Sequence, residues 1–122
     1  MSLSERLNAG APRERMITDE EADRALHWLV NNAKALGDAK ARLVKAERMI
    51  GIVEAIETKD SDAKSDTKKK ADARASDRYL AAVNEEAYAA GEYETLRGLR
   101  AAAEMKLEAW RTESSTLRSI KM

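Results

Sequence analysis

The sequence predicts an all-α protein: a long antiparallel helical hairpin, or coiled coil, with a short N-terminal arm, assembling into a helical bundle. Three observations predict it. Apolar residues recur at alternating steps of three and four over two long stretches, the spacing that lays one apolar stripe along a helix. A segment between them is almost purely polar, and so suits a turn. Charged residues make up 36% of the 122, aromatics 4%, and Phe is absent, a composition suited to thin helical layers joined by Ala and Leu contacts.

Residues 1–17 read as an arm. Ser4 is placed to cap a short turn in which Leu3 and Leu7 share a face, and Gly10 and Pro12 stop it. At Thr18 a capping box begins, with Glu21 three residues on, and Asp19, Glu20, Glu21 and Asp23 suit the positive end of a helix dipole. The first helix is expected over about 19–57. Its stripe runs Ala22, Ala25, Leu29, Asn32, Leu36, Ala39, Leu43, Ala46, Ile50 and Val53, with Asn32 as a register-setting interruption. Glu20 with Arg24 and Asp38 with Arg42 stand at i,i+4. Gly37 and Gly51 lie off the stripe, where a second partner is expected to come close.

The turn is placed at about 58–65, because Ala63 is the one apolar residue from Thr58 to Lys70. Ser65 or Asp66 then caps a second helix over about 66–118. Its stripe is Ala75, Tyr79, Ala82, Ala89, Tyr93, Leu96, Ala103, Leu107, Trp110 and Leu117, with Glu86 and Arg100 near it, each placed either to flank the stripe or to pair with a residue of another helix. At 1.5 Å per residue the second helix outruns the first by roughly 17 Å, so its C-terminal end overhangs. Leu3, Leu7, Met16 and Ile17 of the arm are expected to cover Leu107, Trp110 and Leu117.

Both helices carry apolar residues beyond their stripes. On the second these include Leu80, Val83, Ala87, Gly91, Gly98 and Met105; on the first, Trp28, Val30, Val44, Met49, Ile52 and Ile56. Small residues admit a close helix, so the second face is expected to form a homo-oligomer, most simply a homodimer, with Leu80, Val83, Ala87, Gly91, Gly98 and Met105 at its interface. Trp110, Arg111 and Leu117 form the most anchor-like group, and are the candidate site for an unidentified protein partner; a Trp on the stripe also suits a core role.

Composition narrows the chemistry. Lys plus Arg and Asp plus Glu both total 22, so net charge gives no field toward nucleic acid or an anionic membrane. Lys64, Lys68, Lys69, Lys70, Arg74 and Arg78 form a basic run that could meet phosphates, but Asp66, Asp72 and Asp77 interrupt it. With one histidine, His27, and no cysteine, no metal site or thiol nucleophile is expected; the residue three before His27 is Arg24, which does not fit a Glu-x-x-His motif. There is no phosphate loop, no Ser-His-Asp arrangement and no pocket to set paired carboxylates apart, so the expectation is a non-enzyme without cofactors. The polar N-terminus and the lack of a long apolar run predict a cytoplasmic protein with no membrane partner.

The run from Tyr93 to Arg97 and from Ala103 to Thr112, with its Trp110-Arg111 pair, resembles the C-terminal part of small all-helical proteins encoded by bacteriophages and prophages. It covers about a third of the chain. The resemblance implies an accessory role beside a DNA-handling protein of replication or recombination, and carries over no site residue.

Overall fold

The computed structural model describes residues 15–121. Among them are three helices and no strand: α1 (Asp19–Asp60), α2 (Asp66–Arg74) and α3 (Asp77–Lys121). The long α1 packs against α3 as an all-α helical hairpin. No helix among the described residues is long and apolar enough to cross a membrane.

α1 starts where its cap is. The Thr18 hydroxyl accepts the Glu21 amide at 3.1 Å, and Asp19, Glu20 and Glu21 occupy the positive first turn. Every residue of the expected first stripe is buried or half-buried. Asn32, however, donates its amide back to the Trp28 carbonyl of its own helix at 2.9 Å, and among the described residues it makes no cross-helix bond. The turn is shorter than expected, because α1 continues through Asp60. It is held by Ser61, whose hydroxyl donates to Asp72 and accepts the Ala63 amide. Ser65 then caps α2 by accepting the Lys68 amide at 3.2 Å.

The single second helix expected over 66–118 is instead two, because Ala75 and Ser76 interrupt it. The Ser76 hydroxyl donates to the Ala73 carbonyl at 2.7 Å and accepts the Tyr79 amide at 3.2 Å, so this side chain closes one helix and opens the next. The apolar stripe is re-phased across the break. Ala73 is 1% exposed, while Ala75, the expected stripe residue, lies in solvent. Ser76→Ala should lower stability by about 1 kcal/mol, the usual worth of an N-cap, as a shift in urea midpoint.

The chain divides into two compact units, residues 1–32 with 99–122 and residues 33–98. In the second unit Leu43, Ala46 and Ala89 form the core, flanked by Ala90 and Tyr93. In the first, Ala22, Ala25 and Ala103 are buried, each 5% or 6% exposed. Alanine at the contact lets α1 and α3 approach closely, at the cost of little apolar area per residue.

A methyl group added at Gly37, Gly51, Gly91 or Gly98 would meet nothing within 4 Å. Among the described residues nothing comes close to Gly37 or Gly51, as expected of positions off the stripe that are open to a second partner. Gly37→Ala should stabilise the helix by up to about 1 kcal/mol, again read by urea unfolding, because alanine loses less backbone entropy there.

Candidate interaction faces

Polar side chains join α1 to the second half of the hairpin in the unit of residues 33–98. Arg42 projects from α1 and donates to Glu85 at 2.8 Å and Glu92 at 2.9 Å, carboxylates one heptad apart on α3, while its guanidinium lies 5.1 Å from the Tyr88 ring centroid. The Glu85 hydrogen bond and charge hold the Arg42 guanidinium above its ordinary pKa. Both partners are well exposed, so solvent screens the pair. Arg42 thus crosses between helices instead of pairing with Asp38, which takes Lys34 at 2.7 Å. Arg100 likewise bonds Glu104 on its own helix at 2.7 Å, and among the described residues neither Arg100 nor Glu86 forms an ion pair with α1.

Within the basic run, Arg74 bonds Glu54 at 3.2 Å and Arg78 reaches Glu57 at 3.5 Å. Two of the six candidate phosphate ligands are therefore committed to α1. Lys69 is half-buried; Lys64, Lys68 and Lys70 are exposed.

In the unit of residues 1–32 and 99–122, Trp110 is half-buried and its indole N–H donates to the Asp19 carboxylate at 2.8 Å. Arg15 bonds the same carboxylate at 2.9 Å and the Ser114 hydroxyl at 3.0 Å, with its guanidinium 5.9 Å from the Trp110 ring centroid. The Met16 amide donates to the Glu113 carboxylate at 3.1 Å. The end of the arm thus does reach the C-terminal part of α3, through polar contacts. Met16 itself is 70% exposed, so its side chain is no cover, and Leu3 and Leu7 lie outside the described residues. Leu117 is half-buried; Arg111 is exposed and reaches Glu108 at 3.5 Å. Trp110, Arg111 and Leu117 are brought to one end of the hairpin, with Trp110 engaged inside the chain.

The residues assigned to an oligomer interface fall on a face the chain leaves largely uncovered. Leu80 is 49% and Met105 72% exposed, Ala87, Gly91 and Gly98 are exposed, and Val83 is half-buried. α1 has its own uncovered side, where Ala41, Val44, Lys45, Arg48, Met49 and Ile52 line a shallow apolar hollow. A second hollow, of about 230 Å³, lies within the unit of residues 1–32 and 99–122, between Trp28 and Leu99, with Arg24 and Lys106 exposed at its border. Among the described residues no three His, Asp or Glu side chains gather as metal ligands would.

The Arg42 bridge and the Ala73 contact escaped the sequence reading. Only the heptad spacing of Glu85 and Glu92 hinted at the bridge, and cross-helix register is needed to use that hint. Compared with protein-family models, curated proteins and solved structures, the chain matches none.

Proposed function

We propose that this chain is a non-enzymatic helical scaffold that associates with itself and binds another protein, acting in the cytoplasm. The observation that supports this is the number of large apolar side chains left in solvent: Val30 is 69% exposed, Ile52 and Leu80 49%, and Met105 72%. A thin hairpin that buries mostly alanine between its own helices keeps such residues for another surface. Trp110, Arg111 and Leu117 then offer the protein partner an end of the hairpin, and the likeness of this region to phage-encoded helical proteins makes an accessory role beside a DNA-handling protein the natural setting. Light scattering on a sizing column, at two protein concentrations, tests the association. A mass above 13.5 kDa that rises with concentration is expected, and a constant 13.5 kDa would refute it.

A second reading is a nucleic-acid accessory protein, favoured by the exposed Lys64, Lys68 and Lys70, which form no ion pair among the described residues. The Arg74 and Arg78 pairs with α1 weaken it. Its signature is binding to DNA or RNA that falls steeply with salt and is lost on neutralising Lys64, Lys68 and Lys70. No binding at low salt would remove it.

A further inference from the structure

The hollow between Trp28 and Leu99 is lined by the buried Ala25 and Ala103, yet the described residues leave it open: Leu99 is 48% exposed and Trp28 half-buried. Leu99, Lys106 and Glu113 recur every seven residues, so they share one side of α3. On that side the Met16 amide donates to Glu113 at 3.1 Å, and Arg15 is fixed beside it by the Ser114 hydroxyl and the Trp110 ring. The chain that precedes Arg15 therefore sets out from the hollow's own side of α3, with Lys106 and Leu99 roughly 10 and 21 Å away along the helix. Residues 1–14, which lie outside the described part, are long enough to reach both, spanning roughly 21 Å as one helix and about 45 Å extended.

We propose that this N-terminal segment docks in the hollow of its own chain, seating Leu3 and Leu7 between Trp28 and Leu99 as a third helical layer on the hairpin. Gly10 and Pro12 interrupt a helix and let the chain reverse, after which Leu3 and Leu7 stand at i,i+4 on one side of a short helix antiparallel to α1. On such a helix Glu5 falls opposite the two leucines, so no charge has to enter the hollow. Trp110, the other apolar seat near the segment, already has Arg15 over its ring. A second copy carries the same leucines, but a tether this short holds the chain's own segment at an effective concentration in the millimolar range, which selects the occupant in cis. The contact is made within one chain and is independent of the self-association proposed above.

The test is disulfide trapping in the full chain, which has no cysteine of its own. S4C is combined either with K106C, at the border of the hollow, or with A101C, on the outer side of α3. Both α3 positions are exposed, so helicity by circular dichroism should be unchanged. Under mild oxidation at low protein concentration, with the products read by peptide mass, S4C/K106C is expected to close within one chain at least tenfold faster than S4C/A101C. Adding L3Q/L7Q, which leaves both thiols and every charge in place, should bring the two rates together. Equal rates for the two pairs would overturn the proposal, and so would an advantage that survives L3Q/L7Q. A disulfide that joins two chains in place of closing one would overturn the occupant in cis and give the hollow to a second copy.

Discussion

Ala89→Glu is expected to unfold the unit of residues 33–98, with a loss of at least about 3 kcal/mol. Ala89 is 1% exposed and packs against Leu43 and Ala46 in that unit's core. A glutamate there has no room and no cation within the cluster. It must either bury an uncompensated charge or force α1 and α3 apart. The same substitution at Ala81, exposed on the same helix, should cost less than about 1 kcal/mol, chiefly from repulsion by Asp77 and Glu85 at i−4 and i+4. Urea unfolding followed by circular dichroism compares the two. Equal effects would mean that Ala89 is not the contact between helices.

Trp110→Ala should destabilise the unit of residues 1–32 and 99–122 by about 2 kcal/mol, roughly half the cost of emptying a fully buried aromatic site. The indole is half-buried, its N–H bonds the Asp19 carboxylate, and Arg15 lies against its ring. Removing it leaves Asp19 and Arg15 paired in solvent, where such a pair contributes little. Hydrogen exchange is the direct measurement: amides of residues 19–32 and 99–118 should lose protection. Unchanged protection would show that the ring is held in reserve for a partner instead of serving its own chain.

Two cations place a pH dependence of stability in the alkaline range. A hydrogen bond to Asp38, and then its charge, raise the Lys34 pKa; Glu85 does the same for Arg42. A cation with a raised folded pKa stabilises fully below its unfolded value and loses that contribution as pH rises through the folded one. Both windows lie in the alkaline range, above the ordinary values for lysine and arginine.

The helical architecture was legible because a repeat of three and four admits one geometry. Ala22, Ala25, Ala39, Leu43, Ala46 and Val53 were marked for burial by spacing alone, and all are buried. Thr18 and Ser65 announced helix starts through hydroxyls whose only useful acceptor role lies there. The break at Ser76 was not legible. Serine is tolerated inside helices, and whether it caps or rides along depends on what the chain gains by re-phasing its stripe, here the burial of Ala73. The polar pairs were misassigned for a related reason. Local i,i+4 spacing offers Asp38 to Arg42, whereas Glu85 and Glu92 reach Arg42 only once the hairpin sets α3 beside α1.

The candidate site divides in the same way. Spacing placed Leu80, Ala87, Gly91, Gly98 and Met105 on a second face, since a helix has one periodicity whatever its surroundings. That this face stays in solvent while Trp110 turns inward to Asp19 was settled by tertiary structure. The sequence by itself determined the helices and their buried side, because backbone periodicity and apolar burial are local and cumulative. Only the tertiary structure decided which charges meet, where the second helix breaks and which apolar face the chain leaves uncovered, because each depends on the register between segments far apart in sequence.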